Sequence, residues 1–220
     1  MLHFDHVSKR YPGGADVLAD LSFSIEEGEL VFLTGRSGAG KTTVLKLSAL
    51  IERGTRGRIV FDGENLSRIT LRKIPFLRRK LGLIFQDYRL LNDRTVHDNV
   101  ALPLIIGGYP QREIASRVRA ALDKVGLLDK EKKYPSVLSG GEQQRVGIAR
   151  AVVHKPRMIL ADEPTGNLDP DLSAEIMALF EQFRQVGTTV LIASHDRQLI
   201  SRMKSRILRL ENGSLAENSS

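Results

Sequence analysis

The run Gly35-Arg36-Ser37-Gly38-Ala39-Gly40-Lys41-Thr42 fits the pattern G-x-x-x-x-G-K-[ST], and that pattern implies phosphate chemistry. Glycines without Cβ let backbone N–H groups converge on phosphate oxygens, and a helix starting at the loop's end adds partial positive charge. Lys41 is placed to reach the β- and γ-phosphates of a nucleotide, and the Thr42 hydroxyl to ligate Mg²⁺. Thr43 is counted with the phosphate-binding residues. A second run, Met158-Ile159-Leu160-Ala161-Asp162-Glu163, is an apolar strand that ends in two carboxylates. In an open α/β sheet such a strand delivers both to the carboxyl edge, where ligands bind. Asp162 then holds Mg²⁺, directly or through water, and Glu163 orients or deprotonates an attacking water.

A third run, Leu138-Ser139-Gly140-Gly141-Glu142-Gln143-Gln144-Arg145, precedes a helix with Val146, Ala149 and Val153 on one face. Ser139 with Glu142 three residues on has capping-box spacing, so a well-capped helix start is the plain reading. Two consecutive glycines add a second reading, a backbone that an anion can approach closely.

These runs need a scaffold, and the hydrophobic pattern supplies one. Leu21, Phe23 and Ile25 alternate with polar residues, and Glu27-Gly28-Glu29 turns the chain into the apolar strand Leu30-Val31-Phe32-Leu33. Further strands are expected at Arg58–Phe61, Leu81–Phe85, Met158–Ala161, Thr189–Ala193 and Ile207–Leu210, with helices over Lys41–Ile51, Leu172–Val186 and about Arg197–Met203. Apolar strands alternating with helices predict an α/β fold, a mostly parallel sheet covered on both faces. The segment 87–155 reads as helices, with Ile114, Val118, Ala121, Leu122 and Val125 at helical spacing. It is expected to be an inserted helical subdomain, with residues 1–86 and 156–220 forming the rest of one domain.

Composition narrows the function. The 220 residues include no Cys, which excludes disulfides, thiolate metal sites and a cysteine nucleophile and fits a reducing compartment. Met1–His6 shows no basic stretch followed by an apolar one, so no export signal is expected. The longest apolar run, Val100–Ile106, contains Pro103 and is far shorter than the ~20 residues a membrane span needs. The net charge of +7 allows an acidic partner without choosing one. Its densest source is Ser67–Lys80, with Arg68, Arg72, Lys73, Arg78, Arg79 and Lys80 and no acid. That stretch reads first as a solvated helix face and second as a surface held near anionic lipid or a partner. It lacks the run of interleaved aromatics that would stack bases, so no nucleic acid partner is expected.

Taken together, the phosphate loop, Leu138–Arg145 and the Asp-Glu strand end resemble the ATP-binding subunits of the ATP-binding-cassette (ABC) family over nearly the whole chain. The sequence departs from that family's signature motif in having Glu142 where many members have Gln. The resemblance implies a P-loop NTPase with a RecA-like core, an N-terminal antiparallel β subdomain and an inserted helical subdomain. It implies Mg²⁺-dependent ATP hydrolysis and a head-to-tail homodimer enclosing two ATP molecules. Tyr11 resembles the aromatic that stacks on adenine, and Gln86 the glutamine that senses Mg²⁺ and the nucleophilic water. Asn167-Leu168-Asp169 resembles the loop that contacts the partner subunit, with Asp169 as the dimer contact, and His195 the histidine at the γ-phosphate. Within the family, Phe85–Leu91, Asp93–Val96 and Asp98–Leu104 resemble the bacterial cell-division branch, which works with a separate membrane protein. Lipoprotein-release and macrolide-export ATPases share Ala161–Asp169 and are the alternative. Chromosome-maintenance ATPases carry a long heptad-rich insertion and translation-associated members carry two cassettes, and this sequence has neither.

Overall fold

Leu30–Leu33, Met158–Ala161 and Val190–Ala193 are apolar at every position, and in the computed structural model all three are central strands buried on both faces. Residues 1–166 and 168–216 are described. In chain order the strands are β1 (Leu2–Arg10), β2 (Asp16–Ile25), β3 (Leu30–Gly35), β4 (Arg56–Phe61), β5 (Glu64–Asn65), β6 (Leu81–Ile84), β7 (Met158–Asp162), β8 (Thr189–Ala193), β9 (Arg206–Glu211) and β10 (Ser214–Leu215). The helices are α1 (Lys41–Ser48), α2 (Ile74–Arg78), α3 (Val96–Gly107), α4 (Gln111–Lys124), α5 (Gly140–Val152), α6 (Pro170–Gln185) and α7 (Arg197–Arg202).

Two sheets result. The larger runs β10-β9-β3-β8-β7-β6 and is parallel from β9 to β6, while the smaller, β2-β1-β4-β5, is antiparallel. Alternation along each central strand divides the core in two. Phe32, Ile159, Ala161, Val190 and Ile192 join the cluster beneath α3, α4, α5 and α6. Val31, Leu33, Met158, Leu160, Leu191 and Ala193 join the cluster shared with α1 and the antiparallel sheet, including Leu2, Phe4 and Leu21. Each fully buried aliphatic or Phe side chain here is worth about 1.5–3 kcal/mol over an exposed one. This double burial fixes the position of the sheet's carboxyl edge, on which the candidate site residues sit.

Two local expectations need correction. Helix α1 ends at Ser48 rather than Ile51, because Leu50 turns to φ 52° and the N–H groups of Ile51 and Glu52 both fold back on the Lys46 carbonyl. The basic stretch is not one helix. It makes 3₁₀ turns at Leu66–Arg68 and Leu71–Lys73 before the short α2. The guanidinium of Arg53 donates to the carbonyls of Leu66, Ser67 and Ile69, so these groups have partners outside a helix. Pro103 lies inside α3, which continues past it to Gly107 and closes on Gly108 at φ 76°. Among the described residues no helix is long and apolar enough to cross a membrane.

Candidate active site

Sheet order sets the site. Neighbouring parallel strands β3, β8, β7 and β6 present at one edge the phosphate loop, then His195, then Asp162 with Glu163, then Gln86. The loop leaves β3 at Gly35, where a Cβ would stand 2.5 Å from the Leu210 carbonyl oxygen. It enters α1 through Gly40 at φ 104°, where a Cβ would meet Leu18 at 2.6 Å. Both positions therefore require glycine. Gly38 adds a third positive φ of 79°, and the Ala39 N–H donates to the Arg36 carbonyl at 3.1 Å, which tightens the loop. No side chain caps α1, so its first N–H groups face the loop with the positive end of the helix. Arg36, Ser37, Gly38 and Thr42 are exposed, whereas Thr43 is buried.

A polar cluster closes on Lys41. Its Nζ donates to the Gly35 carbonyl at 2.9 Å and to the Arg36 carbonyl at 3.3 Å, and lies 4.0 Å from Glu163 Oε1. The same carboxylate oxygen lies 2.9 Å from His195 Nδ1. Glu163 is 13% exposed and His195 70%, so the carboxylate is sheltered while the imidazole forms the rim. Glu163 takes φ 46°, a left-handed conformation held by its N–H on the Ala193 carbonyl at 2.9 Å. Such a conformation costs about 1–3 kcal/mol and persists where the surroundings enforce it. Asp162, the last residue of β7, is pushed above the ordinary carboxylate value by burial, opposed by a hydrogen bond with the Thr42 hydroxyl. Hydroxyl and carboxylate are hard oxygen donors of the kind Mg²⁺ takes, and a divalent cation would offset the burial of that charge. Gln86 is exposed just past β6, its Nε2 3.8 Å from the point where Gly166 would carry a Cβ.

Other predicted residues stand apart from this cluster. Ser139 caps α5 with a full capping box, its hydroxyl accepting from the Glu142 N–H at 3.3 Å while Glu142 accepts from the Ser139 N–H at 2.8 Å. Gly141 is buried, and a Cβ there would collide with Leu172 of α6, so this glycine has a packing reason of its own. Among the described residues no hydrogen bond or ion pair joins Ser139–Gly141 to the phosphate loop. Tyr11 is half-buried, with Lys9 Nζ 4.8 Å from its ring centroid. Asp169 caps α6, accepting from the Leu172 N–H at 2.9 Å, and Asn167 lies outside the described residues.

One residue escaped the sequence reading. Arg150 of α5 donates to the Tyr88 and Arg89 carbonyls, both at 2.6 Å, and those two residues, the second and third after Gln86, hold φ of 54° and 49°. No acid lies three or four positions away in the sequence, where Val146, Gly147, Val153 and His154 stand. A cation so isolated beside an apolar stripe was the available signal.

These features define an ABC-type ATPase. The chain belongs to the ABC transporter family, whose model matches residues 18–166. It is 60% identical over 215 residues to the cell division ATP-binding protein FtsE of Escherichia coli strain K12, covering 98% of this chain and 97% of that one. It is 43% identical to FtsE of Bacillus subtilis strain 168, over 100% of this chain and 96% of the relative. Among solved structures, a dimeric post-hydrolysis state of the ATP-binding cassette MJ0796 bound to ADP and Pi superposes with a TM-score of 0.91 at 33% identity, covering 99% of this chain and 97% of that one. The Clostridium perfringens cassette cbiO1, part of the transporter complex cbiONQ, gives 0.90 at 29% identity over 98% of this chain and 86% of that one.

Proposed function

We propose that this chain is the ATP-hydrolysing subunit that drives a separate, FtsX-like integral membrane partner in bacterial cell division, from the cytoplasmic face of the inner membrane. The carrying observation is the Lys41–Glu163–His195 cluster at the mouth of the phosphate loop, and the relatives named above supply the division context. Phosphates entering the loop take Lys41 Nζ from the Gly35 and Arg36 carbonyls, and charge-assisted bonds to phosphate replace neutral ones. Glu163 orients a water for in-line attack on the γ-phosphorus and takes its proton, while the bond to the β–γ bridging oxygen breaks and ADP leaves. His195 meets the γ-phosphate from the rim. Thr42, Asp162 and Gln86 would hold Mg²⁺, which would supply charge neutralisation for the phosphates. Tyr11 stacks on adenine.

Two copies pair head to tail, Ser139–Gly141 of each closing on the ATP of the other, with Asp169 at the contact. The partner's cytoplasmic segment seats in a groove of about 950 Å³ lined by Leu81, Leu83, Phe85, Leu102, Arg150 and His154. Phe85 adjoins Gln86, so movement in the groove reaches the hydrolysis site. The output is activation of cell-wall hydrolases across the membrane. The test is Glu163→Gln. The amide still accepts a hydrogen bond but takes no proton, so hydrolysis falls by about 10²–10⁴. With ATP and Mg²⁺ the variant accumulates as a dimer by light scattering, and from detergent-solubilised membranes it co-purifies with an FtsX-like partner. Wild-type hydrolysis by the variant removes the assignment of Glu163. Recovery of a lipoprotein-release or macrolide-export permease removes the division role.

A further inference from the structure

The basic stretch has no part in hydrolysis, and its conformation gives it an unusual surface. Leu71 is 78% exposed and Phe76 62%, large apolar side chains standing in water on the 3₁₀ turn and on α2. Arg79 spans from the Phe76 ring, 5.1 Å from its centroid, to the Ile106 carbonyl at 2.8 Å, and Ile105 and Ile106 of α3 are themselves 57% and 59% exposed. Among the described residues no carboxylate pairs with Arg68, Arg72, Lys73 or Arg79, whereas Lys80 at the end of the stretch is neutralised by Asp62. Unpaired cations interleaved with protruding Leu, Phe and Ile make a poor surface for water and a poor one for a nucleotide. They match an anionic bilayer surface, where the cations meet phosphate headgroups and the apolar tips enter the headgroup–acyl boundary.

We infer that the surface formed by Arg68, Leu71, Arg72, Lys73, Phe76 and Ile106 is a peripheral docking site for anionic phospholipid. It is continuous with the groove above, whose lining includes Pro75, Arg78, Arg79 and Ile106. A chain seated on a membrane partner through that groove would therefore carry this surface on the adjoining side. The lipid contact goes beyond the proposed function and is tested without any partner.

The purified full-length chain is floated with vesicles of phosphatidylcholine alone, or of phosphatidylcholine with about one-third phosphatidylglycerol. Binding is expected on the anionic vesicles and not on the neutral ones, and it weakens as salt rises. Each cation near such a surface contributes roughly fivefold in affinity, so Arg72→Gln with Lys73→Gln lowers binding about 25-fold. Phe76→Ser lowers it at unchanged charge. ATP hydrolysis stays at the wild-type rate in both variants, and these positions are exposed, so the variants keep the fold. Equal binding to both vesicle types, no binding to either, or variants that bind as wild type overturns the site. Variants that float normally yet lose co-purification with the membrane partner assign the surface to a protein, and also overturn it.

Discussion

Glu142 occupies the third position of α5 with both carboxylate oxygens engaged, Oε2 on the Ser139 N–H at 2.8 Å and Oε1 3.5 Å from Lys130 Nζ. This explains how the chain tolerates Glu where many ABC signatures carry Gln. The charge is held against the helix's own positive end and against a lysine, so it is not free to repel an approaching phosphate. The bond from the Ser139 backbone, with support from Lys130, holds the carboxyl below its ordinary value despite the opposing effect of burial. A carboxylate depressed in this way contributes stability that is present above its unfolded pKa and lost as pH falls through the folded one. Glu142→Gln keeps an acceptor for the Ser139 N–H and removes the charge. Urea unfolding should show a loss of about 0.3–1 kcal/mol at neutral pH, the scale of a charge at a helix N-terminus. The gap should close as pH falls through the carboxylate range, where both side chains are neutral. A gap that persists at low pH would mean that packing, not charge, separates the two residues.

At the scale of elements, the parts legible in the sequence are those that local rules determine. The phosphate loop, the Asp162–Glu163 strand end and the Ser139–Glu142 cap each depend on residues within one turn or one strand, so spacing alone reveals them. The conformation of Ser67–Lys80 was not legible, because Arg53, many residues earlier, satisfies its carbonyls. The segment after Gln86 was hidden for the same reason: its two left-handed residues exist only under the Arg150 fork, 61 and 62 positions away. That fork ties the signature helix α5 to the residues that follow Gln86. Arg150→Met keeps the bulk and strands two carbonyls, which should cost about 1.5–3 kcal/mol in urea unfolding. If the tie positions Gln86, kcat should fall while KM for ATP holds, and Arg150→Lys should restore the stability in part without restoring the fork. Equal changes in kcat and KM would make the fork a structural prop alone.

At the scale of the whole molecule, the glycine-rich starts of α1, behind the phosphate loop, and of α5, behind Ser139, stand as separate anion-ready sites, and within one chain nothing among the described residues bonds one to the other. A second cradle makes sense where it closes on the γ-phosphate held by another copy. Mixing two inactive variants separates that arrangement from one within a single chain. Lys41→Ala removes the cation of the loop. For the signature, Gly140→Asp is better than a change at Gly141, because Gly140 is exposed and a Cβ there meets only the Tyr88 hydroxyl, at 3.2 Å. In a head-to-tail pair one composite site carries both lesions and the other carries none. If loop and signature served the same chain, every site would remain broken. Mixing should therefore restore ATP-dependent pairing and the retention of one nucleotide per dimer, read by light scattering and by filter-bound radiolabelled ATP. Retention is the firmer readout, since strict coupling between the two sites would silence turnover in a correct geometry. Mixed dimers that form and hold no nucleotide would exclude the trans arrangement.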